Sequence, residues 1–149
     1  MTYIQVNLKE SLSNDHKDVF VTLYKIEEGL KDGELDLDLF EEFERKLKDH
    51  IYTEETFVFP MLLTELDLRK EVSGFEMEHA AMWRLIDLIN KEIDEKKFEK
   101  TLKYFDEIDR ILKNHNEREE EYIYSKIEEG SVLKKSKRPE NWKCTKFSK

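Results

Sequence analysis

The chain holds four histidines, His16, His50, His79 and His115. Two of them open the same short pattern, His50-x-x-x-Glu54 and His115-x-x-x-Glu119. On a helix, positions i and i+4 stand one above the other, so each pattern offers an imidazole and a carboxylate to the same neighbour. The pattern also repeats on a larger scale. Asp15-His16 is followed 34 residues later by His50 and then Glu54-Glu55. Glu78-His79 is followed 36 residues later by His115 and then Glu119-Glu120. Aligned on their histidines, His50 to Phe59 and His115 to Tyr124 fall into register. Two such units related by a pseudo-twofold would set two half-sites face to face. That arrangement favours a dinuclear metal centre over a mononuclear one.

Four amphipathic helices are needed to position these groups, and the apolar spacing supplies them. Steps of three and four predict helices over about Ser13–Leu30, Asp38–Leu66, Leu68–Ile93 and Phe98–Glu128. Ser13 or Asn14 is the expected cap of the first, and Gly33 falls in the turn after it. Pro60 should kink the second or mark its last turn, and Gly130 should cap the fourth. Leu35 to Leu39 alternates like a strand but is too short to change the class. Short connections between four such helices predict an all-α, antiparallel up-down-up-down four-helix bundle. Each histidine lies on the apolar stripe of a different helix, and Glu54 and Glu119 lie on stripes too.

Burying these groups needs a physical reason. A lone ionised carboxylate in an apolar core costs several kcal/mol at least and usually protonates instead. No Lys or Arg occupies a stripe position near Glu54 or Glu119. A metal ion is the simplest countercharge, and imidazole with carboxylate suits iron, manganese or zinc. A single histidine on an apolar face is more often a hydrogen-bonded core residue, and a single His-x-x-x-Glu is usually a surface pair. The joint pattern, one stripe histidine per helix with two glutamates at i+4, argues for metal. Glu55 and Glu120 read as solvated flanking residues. A ferritin-like site needs Glu-x-x-His on two helices; only Glu76 to His79 has that spacing, and Leu112 stands at the matching place before His115.

Composition narrows the remaining classes. The 149 residues allow one domain, and 41% charged residues with four glycines and two prolines suit long solvated helices. Lys134 to Lys149 holds seven basic residues and one acid, so a chain of net charge −9 has a tail of +6 on a body of −15. The expected organisation is a bundle over residues 1–133 and a basic C-terminal tail over 134–149. The tail reads as a solvated terminus, with an acidic partner as its alternative use. An acidic body does not suit nucleic acid, and no apolar run is long enough for a membrane span. The N-terminus carries no secretory-signal pattern, and the single Cys144 excludes an intramolecular disulfide or a cysteine-based metal site. A cytoplasmic protein is the expectation.

From His16 to Tyr124 the layout resembles the hemerythrin-like family, the HHE cation-binding domain. The resemblance implies a non-haem di-iron centre, with zinc or manganese ranked behind iron. By that resemblance His16 and His50 hold one iron, and His79 with His115 the other. Glu54 and Glu119 bridge them, with an oxo, hydroxo or water oxygen as a third bridge. Oxygen carriers of the family place a second histidine on the third helix, one turn from the first; here those positions are Phe75 and Trp83. The carriers' usual aspartate, five residues after the last histidine, is Glu120 here. The chain therefore resembles the six-ligand, His/Glu-only branch. That branch includes the iron-sensing domain of an animal F-box protein and bacterial proteins that repair iron centres under nitric oxide stress. With about five ligands per iron, each metal keeps an open position for O₂ or NO. Phe57, Phe75, Met82 and Trp83 are the expected apolar lining around it, or ordinary core packing. The implied function is binding of O₂ or a related small ligand, as carrier, sensor or iron-binding protein. The alternative is an enzyme acting on NO or peroxide, or a protein that repairs iron centres. Binding is favoured because no stripe residue beyond the ligands offers a proton donor, Tyr52 and Tyr122 excepted.

Overall fold

A computed structural model describes residues 4–64, 67–94 and 98–147. Four helical rods form the expected antiparallel bundle. Helix α1 spans Leu8–Lys31 and α2 spans Leu37–Thr53. A π-turn over Glu54–Val58 leads into the short α3, Phe59–Leu63, which completes the second rod. Helix α4 spans Arg69–Asp94 and α5 spans Phe98–Tyr122. The expected end of the second helix at Leu66 and the side chain of Phe98 lie outside what is described. Gly33, at φ 79°, turns the chain between α1 and α2.

Three boundaries differ from the sequence reading, each for a local reason. Helix α1 starts at Leu8, ahead of Ser13, because the Asn7 side chain accepts from Glu10 N at 2.9 Å. Leu8 and Leu12 then extend the buried stripe by a turn. In the second rod the disturbance lies upstream of Pro60. The ring of Pro60 crowds the carbonyl of Thr56 and brings no N–H for it. The widened turn relieves that crowding, with Phe59 N bonding to Glu54 O. Helix α5 ends at Tyr122, short of Glu128, and a single 3₁₀ turn follows over Tyr124–Lys126. Gly130 does adopt a left-handed φ of 83°, but it turns the chain into a strand rather than capping α5.

That strand belongs to an element the helical periodicity does not announce. Strand β1, Ile4–Asn7, pairs antiparallel with β2, Val132–Lys135, in the register Ile4↔Lys135 to Asn7↔Val132. The ribbon ties the start of α1 to the segment beyond α5. The basic tail is also not a loose solvated end. Cys144 is 2% exposed. Trp142 packs edge-on against Tyr52 and Trp83, with centroids 5.1 and 5.6 Å apart. Arg138 donates to Asp49 at 2.8 Å. Burial of these aromatics outweighs the freedom that a charged terminus would otherwise keep. No helix among the described residues is long and apolar enough to cross a membrane.

The core is split in two. One apolar cluster gathers Leu23, Phe40, Phe43, Leu47, Met82, Ile86, Phe105 and Ile108. The other gathers Leu8, Leu12, Val58, Phe59, Phe75, Ile123 and Tyr124. The four histidines fall between them along every rod, for example His16 between Leu12 and Val19, and His79 between Phe75 and Met82. The polar residues thus form one layer sandwiched between two apolar ones.

Candidate metal centre

Helical spacing accounts for which residues enter this layer, and burial shows how completely they do so. His16, His50, His79, His115, Glu54 and Glu119 are all at most 5% exposed. They form two overlapping groups, His16–His50–Glu54–Glu119 and Glu54–His79–His115–Glu119. In each group one donor atom from every residue lies within 4.8 Å of the others. Both glutamates belong to both groups. Glu119 divides its oxygens between them. Its Oε1 lies 3.0 Å from His16 Nε2 and 3.9 Å from His50 Nε2. Its Oε2 lies 3.0 Å from His115 Nε2 and 3.8 Å from His79 Nε2. Glu54 Oε1 lies 3.1 Å from His79 Nε2 and 3.4 Å from His50 Nε2.

Behind the imidazoles stands a ring of acids. His50 Nδ1 donates to Asp15 at 3.1 Å, His79 Nδ1 to Glu55 at 2.7 Å, and His115 Nδ1 to Glu78 at 2.8 Å. Arg118 holds Glu78 from the far side. A carboxylate on Nδ1 fixes the ring's orientation and tautomer and leaves the Nε2 lone pair for a metal. The pseudo-twofold extends to this ring. Asp15, next to His16, serves His50, while Glu78, next to His79, serves His115. Glu55 serves His79, and its counterpart Glu120 is exposed and only 3.8 Å from His16 Nδ1.

The donor set fits a metal. Glu54 Oε1, His79 Nε2 and Glu119 Oε2 are buried and have no hydrogen-bond partner. Glu54 Oε1 and His79 Nε2 are close enough for a bond, yet their geometry does not make one. Their lone pairs converge on shared space rather than on each other, which a cation satisfies and a hydrogen bond does not. Without a cation the charges settle among themselves. Burial works against the charged form of His50 and His79, but Glu54, Glu119 and the acids behind outweigh it and hold both pKa values well above the ordinary 6.5. Burial likewise opposes a charged Glu119, yet His115, His16 and His50 keep it well below 4.5.

The hemerythrin HHE cation binding domain matches residues 7–134. The chain belongs to that family. Searches of curated proteins and of solved structures found no match to the chain. The HHE assignment agrees with the buried His/Glu layer, and together they make this a metal-binding site. In this HHE domain the tail beyond residue 134 adds a contact to the layer. Thr145 donates to Glu55 Oε1 through its backbone N at 2.7 Å and its hydroxyl at 2.9 Å, while Glu55 Oε2 holds His79. Glu55 is therefore buried at 8% exposure rather than a solvated flank. The Glu55→Ala variant is expected to bind metal about 10–100-fold more weakly, because His79 loses its orienting acid. A competition titration with a chelator of known affinity measures this; unchanged affinity would show that Glu55 does not orient His79.

The four residues expected to line a ligand pocket are dispersed. Phe75 meets His115 edge-on, with centroids 5.2 Å apart. Phe57 is half-buried on the second apolar cluster, Met82 is buried in the first, and Trp83 faces Trp142 and Phe147 of the tail. Two further aromatics stand in the layer. Phe59 stacks on His79 at 5.9 Å and 7°, and Tyr124 stacks on His16 at 5.1 Å and 23°. Their aligned positions in the repeat, Phe59 with Tyr124, were the available signal. The proton donors considered from sequence lie elsewhere. Tyr122 is 47% exposed, and Tyr52 packs against Trp142. Burial, with the charges of Glu119 and Glu54, raises the Tyr124 hydroxyl well above 10.

Proposed function

We propose that this protein is a non-haem di-iron protein that binds O₂ or a related small ligand such as NO in its bundle core. The observation that carries the reading is the sharing of Glu54 and Glu119 between two donor groups, with Glu119 presenting one oxygen to each. One metal would leave half of these buried donors unpaired. In this proposal His16 and His50 would hold one iron, His79 and His115 would hold the other, and Glu54 and Glu119 would serve both. Bound iron supplies redox chemistry and open coordination positions. The protein's own contribution is to orient the imidazoles through Asp15, Glu55 and Glu78 and to exclude water with two apolar layers. The tail carries no further assignment beyond its packing on the bundle.

Metal analysis of protein purified without added metal, with optical spectra before and after reduction and exposure to air or NO, tests the reading. Two irons per chain and a reversible ligand-dependent spectrum are expected. Metal content unchanged in His50→Ala or His115→Ala would refute the site. A second reading, turnover of NO or peroxide, gains support from the Tyr124 hydroxyl, a buried proton-bearing group within the layer. Steady consumption of either compound would establish it.

A further inference from the structure

The two halves of the layer are unequal, and one of the differences lies in a single atom. The Tyr124 hydroxyl oxygen stands 2.9 Å from His16 Nε2, 3.1 Å from His50 Nε2, 2.8 Å from Glu54 Oε2 and 3.2 Å from Glu119 Oε1. These are the donors of the His16/His50 group. A hydroxyl has one proton and two lone pairs, so it cannot satisfy four such neighbours at once. It stands among four metal-ligating atoms at the spacing that separates neighbouring ligands of one metal. The ring behind it is 1% exposed and stacked on His16. Backbone geometry aims it there: α5 ends at Tyr122 and the chain enters a 3₁₀ turn at Tyr124. In the other half the matching ring is Phe59, stacked on His79 with no oxygen to offer.

We propose that Tyr124 is a seventh protein ligand, binding as phenolate to the metal held by His16 and His50, while the His79/His115 half keeps the open position for a small ligand. On metal entry the phenol O–H bond breaks, its proton leaves to water, and an oxygen–metal bond forms. A phenol bound in this way has no proton to give, so the inference favours binding over turnover. On the open side Phe59 and Phe75 press on His79 and His115 and make the surroundings apolar.

The inference rests on the di-iron reading, and one experiment separates their failures. The full chain is loaded anaerobically with ferrous iron and oxidised with ferricyanide, which removes one electron per iron. The wild type is expected to bind two irons and show a visible phenolate-to-iron charge-transfer band. Resonance Raman excitation in that band should enhance tyrosine ring vibrations that shift on ring deuteration. Tyr124→Phe keeps the stacked ring and should keep both irons while losing the band entirely; Tyr52→Phe and Tyr122→Phe should retain it. Two irons without a tyrosine band in the wild type would overturn the inference and leave the di-iron reading standing. A band that survives in Tyr124→Phe would overturn it as well. Failure of the wild type to bind iron would remove both.

Discussion

Replacing Glu119 by Gln should empty both halves of the site and destabilise the metal-free protein in acid. Glu119 is the residue whose two oxygens reach all four imidazoles, at 3.0 Å to His16 and His115 and at 3.8–3.9 Å to the other two. An amide has the same shape but no charge, and its nitrogen cannot act as a metal ligand alongside its oxygen. In the proposed dinuclear site each cation would lose half of its shared carboxylate countercharge. In the metal-free protein the same change removes the partner that holds the imidazoles protonated. Breaking a buried ion pair from one side costs about 3–5 kcal/mol, since the remaining charge is left uncompensated. The histidines can escape that cost by deprotonating, so it should be near its full size around pH 5.5 and smaller around pH 8. Metal analysis and denaturant unfolding at those two pH values measure both effects. The exposed neighbour Glu117→Gln is the control and should change neither. Full metal content in Glu119→Gln would remove its assignment as a bridge.

The second large effect is an inversion of the pH dependence by metal. In the metal-free protein His50, His79 and His115 have raised pKa values. Their stabilisation is complete below the ordinary imidazole value of 6.5 and is lost as pH rises through the raised values. Glu119 has a lowered pKa, so its stabilisation is complete above 4.5 and is lost as pH falls through the lowered value. The two contributions overlap between 4.5 and 6.5, and the metal-free protein should melt highest there. Above that window its Tm should fall. Metal needs the Nε2 atoms unprotonated, so binding releases protons and strengthens as pH rises. At a free metal concentration a hundredfold over Kd the gain is about 2.7 kcal/mol, or roughly 5–10 °C in Tm for a chain of this size. Thermal melts of metal-free and loaded protein between pH 5 and pH 9 should therefore diverge with rising pH. Parallel curves would show that the layer does not take up metal through these histidines.

Bundle class and the six inward-facing donors were legible in the chain because both depend on short intervals. A helical period of 3.6 carries His50 and Glu54, or His115 and Glu119, to one face whatever surrounds them. The stripe from Val72 through Phe75, His79 and Met82 to Ile86 is equally local. The start of α1 lies ahead of its apparent cap because Asn7 caps it from a stretch that also enters the ribbon. The ribbon itself pairs residues about 130 positions apart, and no periodicity within either short strand signals such pairing. The burial of Glu55 is hidden from the sequence for a related reason. By helical phase it belongs beside the stripe, but the tail returns to it from 90 residues away and Thr145 donates to it there.

Read alone, the residues determined that four helices would each drive one imidazole, and two of them a carboxylate, into a greasy interior, because periodicity is a property of each helix separately. Only the folded molecule decided what stands around those groups. Asp15 reaches His50 across 35 positions, Glu78 reaches His115 across 37, and the Tyr124 hydroxyl meets His16 across 108. Such encounters depend on how the rods are rotated and set against one another and on where a helix stops. Those quantities come from packing summed over the whole core, and no short stretch of chain contains them.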